Sequence, residues 1–142
     1  MIPSVIYEAI SSSTELSDLG ITPERIIESQ SVDSRPFSDG YFITISFEEM
    51  EMSSYGALSR GPRICTIAVH HPWDDDRDFL PITSILNKID SVLLPMGSTT
   101  GGDGLRVTAV RRQGRSGNLV DEGWKTITRT ATYGVLFNEY TA

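Results

Sequence analysis

Apolar positions recur along this chain with two different periods, and the alternation of the two lays out the elements. Ile2, Val5, Ile6, Ala9 and Ile10 fall at i, i+3, i+4, i+7 and i+8, one apolar helical stripe. Pro3 sits near its start, where a missing N–H costs nothing. Ser12 and Glu15 have capping-box spacing for a second short helical turn with Leu16 and Leu19 inward. Gly20 fits the left-handed position just past its end. Residues 3–19 are therefore predicted as a broken helix lying on a sheet. Residues 25–30 are a weaker candidate strand. After the Asp39-Gly40 turn signal the period changes to two: Tyr41, Ile43, Ile45 and Phe47 share one face, Phe42, Thr44, Ser46 and Glu48 the other. That predicts a half-buried strand. Residues 48–62 carry three carboxylates, two glycines and a proline, and predict a strand end followed by a flexible excursion.

Arg63 to His70 returns as a strand with Cys65, Ile67 and Val69 on one face, ended by Pro72. Phe79, Ile82, Ile85, Leu86, Ile89 and Leu93 then form a clean helical stripe. With Asp78 as N-cap, Pro81 falls harmlessly in the first turn, giving a helix over about 78–94. Residues 97–104 form a Gly-rich loop. From Leu105 to Arg112 the chain alternates, with Leu105, Val107 and Ala109 opposing Arg106, Thr108 and Val110. A loop over Gln113 to Gly123 precedes a long strand, Trp124 to Asn138, with Thr126, Thr128, Thr130 and Thr132 on one face. The fold class is α+β. A mostly antiparallel sheet of four to five strands is expected, with a short N-terminal helix and one longer amphipathic helix on one face. A long C-terminal β-hairpin completes it.

Composition narrows function by exclusion. The length of 142 residues suits a single domain spanning 1–142. One Cys excludes an internal disulfide framework and multi-Cys zinc sites. No apolar run approaches the roughly 20 residues that span a bilayer, so no membrane partner is expected. Met-Ile-Pro-Ser lacks the basic start and apolar stretch of a secretory signal. A formal charge of −7 does not suit a protein that coats phosphate backbones.

Candidate chemistry is thin. His70 and His71 precede Asp74, Asp75 and Asp76, residue types that ligate divalent metals. Adjacent strand residues point to opposite faces, however, and the aspartates suit the approach to a helix N-terminus. The 97–104 loop lacks the phosphate-loop lysine, and no nucleophile elbow is present. Cys65 reads as a buried core residue. Glu48, Glu49 and Glu51 form an acidic cluster with no partner base. No catalytic residue, cofactor or metal is expected, so the chain is not expected to be an enzyme. Charge segregation is the stronger signal. Arg106, Arg111, Arg112, Arg115 and Arg129 fall in the C-terminal hairpin region, while the acids gather earlier.

The order of elements carries a resemblance. A short N-terminal helix is followed by Arg35-Pro36-Phe37-Ser38-Asp39-Gly40 and the strand Tyr41–Phe47. A strand ending at His71-Pro72, the single helix 78–94, and a long hairpin containing Asn118-Leu119-Val120-Asp121-Glu122-Gly123-Trp124 complete it. This layout resembles the tail terminator family, minor tail proteins of long-tailed bacteriophages (siphoviruses). The resemblance covers nearly the whole chain and rests on element order, not on a diagnostic motif. It implies a non-enzymatic virion protein assembled in the host cytoplasm into a hexameric ring at the head-proximal end of the tail tube. There the ring would stop polymerisation of the major tail tube protein and meet the head–tail connector or completion protein. The genome would pass through its lumen without sequence-specific binding. Head–tail completion and tail-tube proteins share this size and shape, and stay open as alternatives, as does a small metal enzyme using His70 or His71 with Asp74–Asp76. On the ring reading, Arg111, Arg112, Arg115, Asp121, Glu122 and Trp124 are candidates for contact with a neighbouring subunit or the tube. Glu48, Glu49 and Glu51 are candidates for an acidic lumen. Gly-bearing loops at 53–62, 97–104 and 113–123 would order on contact with neighbours.

Overall fold

The two periodicities meet in one buried cluster. The computed structural model describes residues 3–28, 35–47, 63–74, 77–102 and 105–138. Three helices, α1 (Ser4–Ser11), α2 (Thr14–Asp18) and α3 (Leu80–Leu93), accompany seven strands. The strands are β1 (Ile26–Glu28), β2 (Phe42–Phe47), β3 (Arg63–Pro72), β4 (Thr99–Thr100), β5 (Arg106–Arg115), β6 (Leu119–Asp121) and β7 (Thr126–Asn138). They form a curled mixed sheet in the order β1-β2-β3-β7-β5-β4, with β6 also paired to β7.

The expected architecture is present, with more strands than expected. β1 falls within the weaker candidate strand at 25–30; the additional strands, β4 and β6, are two or three residues long, too short to display a period of two. β1 runs parallel to β2, the one parallel pairing in an otherwise antiparallel sheet. β5 and β6 line the same edge of β7 one after the other. Residues 106–121 and 126–138 are thus one long hairpin interrupted at 116–118. Strand structure reaches Arg115 and resumes at Leu119, so the loop expected over 113–123 is mostly ladder.

The helices cover one sheet face. Val5, Ile6 and Ile10 of α1, Leu16 of α2 and the stripe Ile82, Ile85, Leu86, Ile89 and Leu93 of α3 share a cluster with alternate strand residues. Those residues are Ile43 and Ile45 (β2), Cys65, Ile67 and Val69 (β3), and Ile127, Ala131, Tyr133 and Val135 (β7). Each large aliphatic side chain fully buried here stabilises the fold by roughly 1.5–3 kcal/mol relative to exposure.

Three local expectations change. Ser12 is not the cap of α2: its hydroxyl donates back to the Glu8 carbonyl at 2.6 Å, and the extended Ser13 accepts from the Leu16 amide instead. The alternation of β5 does not run through. A bulge between Val107 and Ala109 inserts one residue, so Val110, expected opposite Val107, is buried with it. β2 is buried on both faces at its start, where Phe42 is fully buried and Thr44 nearly so. Gly20, at φ +95°, takes the left-handed position expected of it.

The Gly-rich connection after α3 is docked on the N-terminus of α1. A Cβ at Gly101 would stand 2.6 Å from the Val5 amide nitrogen, a contact with backbone that no rotamer change relieves. Gly101→Ala should therefore lower stability by about 1–3 kcal/mol. Urea unfolding should show an unchanged slope and a lower midpoint. An unchanged midpoint would mean that this connection is not held against α1.

Candidate interaction surface

The hairpin is anchored by a carboxylate that helical periodicity places inside the core. Asp90 stands four residues after Leu86 and three before Leu93, within the stripe of α3, and is 9% exposed. Its Oδ2 accepts from Arg112 Nη1 at 3.0 Å and from Arg115 Nη2 at 2.5 Å. Its Oδ1 accepts from the Tyr133 hydroxyl. Arg115 also donates to Asn87 Oδ1 at 2.8 Å, so it spans one turn of α3. Burial first, then the hydrogen bond and charge of Asp90, push the Tyr133 phenol above its ordinary range. The two arginines differ in weight. The Arg112 side chain is half exposed, whereas that of Arg115 is 20% exposed.

These arginines were singled out from the sequence for their charge; the structure gives two of them a partner within the chain. Arg112 and Arg115 face the helices, while Arg111 and Arg106 are exposed. A second bulge, between Arg112 and Gly114, keeps both Arg112 and Arg115 on the helical side. Asp121 Oδ1 accepts from the Trp124 amide at 3.0 Å and shapes the hairpin turn, and Glu122 is exposed at its tip. Lys125 completes the turn at φ +56°. Glu48, Glu49 and Glu51 lie outside the described residues.

Trp124 and His70 belong to the sheet face that carries no helix. His70 stacks on Phe42 at 5.0 Å, and the Trp124 ring meets it edge-on at 5.2 Å. His70 Nδ1 is 3.0 Å from Thr126 Oγ1, and Nε2 is 3.4 Å from Thr44 Oγ1. Arg35 straps this cluster, donating to the Trp124 and Lys125 carbonyls, and Phe37 packs on Phe42. Burial lowers the His70 imidazole to about 4, against the raising effect of the Asp121 charge. His71 points to the opposite face, beside the Tyr41 ring at 4.2 Å. Among the described residues no three of His, Cys, Asp and Glu come together. Asp75 and Asp76 lie outside them. Cys65 is fully buried in the core, and burial pushes its thiol up to about 12.

A further surface escaped the sequence reading. At the N-terminus of α3, Arg77, Leu80, Thr83, Asn118 and Arg129 line a shallow depression, with Arg129 donating to Thr83 Oγ1 at 2.6 Å. Leu80 is 73% exposed, and Leu119 and Val120 on the neighbouring edge strand are 43% and 56% exposed. Consecutive exposed apolar residues on a three-residue strand were the available signal.

No protein-family model matches the chain, and no curated protein matches it significantly in sequence. Among the solved chains similar to it in structure is one from the "Virion of native gene transfer agent (GTA) particle", at TM-score 0.60 and 10% sequence identity. The likeness extends over 94% of this chain and 92% of that one. At that identity it establishes a shared fold.

Two predictions follow from this geometry. Asp90→Ala should cost about 3–5 kcal/mol, because it leaves the cationic Arg115 and the Tyr133 hydroxyl without their acceptor. Arg115→Ala should cost more than Arg112→Ala, which loses only a half-exposed pair worth under about 1 kcal/mol. A double-mutant cycle between Asp90→Ala and Tyr133→Phe should show coupling; strict additivity in urea unfolding would mean the cluster is not a unit. The second concerns pH. A histidine held at about 4 in the folded state takes up its proton first in the unfolded chain. Its contribution, of order 3 kcal/mol, is complete above pH ~6.5 and is lost as pH falls from there towards 4. His70→Gln should flatten that limb of the stability–pH curve, and an identical curve would remove His70 from the account.

Proposed function

We propose that this chain is a structural virion protein of a phage-like particle, and within that class a tail terminator. The fold likeness to a virion component over nearly the full length of both chains is the observation that carries this reading. The resemblance of element order to the tail terminator family supports the narrower assignment. On this reading the chain forms a ring, hexameric in that family, at the head-proximal end of the tail. The ring ends the major tail tube and presents a face to the head–tail connector. The function is then one of surfaces, consistent with charges and apolar residues concentrated at strand edges and helix ends rather than in a cleft with convergent polar groups.

Each protomer of a closed ring must present two different complementary surfaces. Arg111 and Glu122, both exposed, are the members of the hairpin set best placed for contact with a neighbour or the tube. Arg112 and Arg115 contribute by holding the hairpin on α3. Glu48, Glu49 and Glu51 are proposed to line the lumen, where negative charge lets DNA slide without adhering.

Removing this chain from its particle separates the readings. Loss of a terminator should leave tubes of uncontrolled length, restored to a single length by the wild-type chain. Tubes of normal length that lack heads would instead favour a head–tail completion protein. The combined reversal Glu48→Lys, Glu49→Lys and Glu51→Lys should slow genome ejection while leaving assembly intact; unchanged ejection kinetics would remove these residues from the lumen.

A further inference from the structure

The ring reading requires two complementary surfaces, and β5 supplies one of definite character. Four of its ten residues are arginine and none is acidic, in a chain of net charge −7. Asp90 neutralises part of this charge through Arg112 and Arg115. Arg106 and Arg111 remain exposed, and their side chains make no ion pair among the described residues. β4 already pairs with β5 at Arg106 and Val107, and beyond them the outer edge is a poor template for another strand. Its two bulges, between Val107 and Ala109 and between Arg112 and Gly114, interrupt the ladder, a device that keeps edges from pairing. Contact here must therefore run through side chains.

An opposite surface stands elsewhere on the same chain. α2 and the short 3₁₀ turn after it, Pro23–Arg25, carry Glu15, Asp18 and Glu24. Glu15 is bridged to Lys88 of α3 at 2.9 Å, while Asp18 and Glu24 are exposed. Leu19, 37% exposed, adds an apolar centre beside them. The neighbouring Thr22 side chain draws the Glu24 carboxyl below its ordinary range.

The sheet separates the two surfaces. Arg106 and Arg111 alternate with Val107, Val110 and Arg112 and project from the face of β5 that carries no helix, whereas α2 packs through Leu16 on the helical face. The acidic and basic surfaces thus lie on opposite faces of the sheet. One chain cannot bring them together, whereas two copies can, head to tail.

Resting on the ring reading, we infer that the arginine edge of β5 docks on the acidic α2–3₁₀ surface of a second copy of this chain, through Arg106 and Arg111 against Asp18 and Glu24. The contact is heterologous, as ring closure demands. It is chiefly electrostatic and weakens with salt, since screening shortens to roughly 10 Å at 0.1 M.

Charge exchange tests this. Arg106→Glu with Arg111→Glu makes both surfaces acidic; Asp18→Arg with Glu24→Arg makes both basic. All four positions are exposed, and circular dichroism checks that each variant folds. In sedimentation at low salt the wild type should self-associate, each double variant alone should associate at least about tenfold more weakly, and an equimolar mixture should recover. Association of either variant at wild-type strength overturns the inference, as does a mixture that fails to recover or a wild type that stays monomeric. Retention of duplex DNA by a monomeric wild type, lost on Arg106→Glu with Arg111→Glu, would overturn it and assign the edge to nucleic acid. Imaging of tail ends keeps the two readings apart. Rings built equally well from either variant leave the ring reading standing, and tail ends without rings remove it.

Discussion

The carboxylate of Asp90 is the junction on which the C-terminal half of this molecule depends. A single side chain on α3 accepts from β5 twice, through Arg112 and Arg115, and from β7 once, through Tyr133. A buried charge of this kind is costly unless every lone pair finds a donor, and here both oxygens do. The apolar contacts of α3 hold it to the sheet but are non-directional. The carboxylate adds register, because its donors must arrive from fixed positions on two strands. Both bulges of β5 bear on this. In a regular ladder Arg115, three residues after Arg112, would face away from the helices; the bulge between Arg112 and Gly114 restores it to their side.

The same bulges mark the boundary of what the sequence made legible. Ile82, Ile85, Leu86, Ile89 and Leu93 announced α3 by spacing alone, and Cys65, Ile67 and Val69 announced β3. In both, one face meets a continuous core, so pattern and structure agree. Val110 defeated the alternation rule because a bulge changes parity and leaves no trace in the hydrophobic pattern. Asp90 was passed over because it is charged, although its position at i+4 from Leu86 is a core position. Phe42 and Thr44 read as the outward side of a half-buried strand. Their burial comes from Phe37, in the segment just before the strand, and from His70 and Trp124, close in space and distant in sequence. β4 and β6 were too short to carry any period, and β1 showed only as a weak candidate.

The two sheet faces are organised by different physics. On the helical face, aliphatic packing dominates, and the buried Asp90 carboxylate receives three donors on its two oxygens. On the other, a short segment and a hairpin turn close over the end of the sheet around His70. Its ring is held neutral by burial and finds a threonine hydroxyl at each nitrogen. The Arg35-Pro36-Phe37-Ser38-Asp39-Gly40 motif thereby acquires a mechanical role. Arg35 grips the hairpin turn, Phe37 covers Phe42, and Arg25, donating to the Asp39 and Tyr41 carbonyls, stacks over Phe37. The histidines that suggested a metal site from the sequence are thus components of the two packed surfaces on either side of β3.

A protomer built this way separates what must be rigid from what must recognise. The hairpin is pinned at Asp90 on one side and at Arg35 on the other, so its edge is presented as a fixed surface. Fixing an edge before contact lowers the ordering cost of assembly, and a surface whose attraction is mostly charge discriminates between partners more than it binds tightly. Such a surface joins free protomers only weakly once salt screens it and favours association where many copies are held in place together. On the proposed ring reading, weak pairwise contact on a rigid scaffold is the physically favourable arrangement: ring closure would add contacts without adding comparable entropy loss, and selectivity would reside in closure rather than in any single pair.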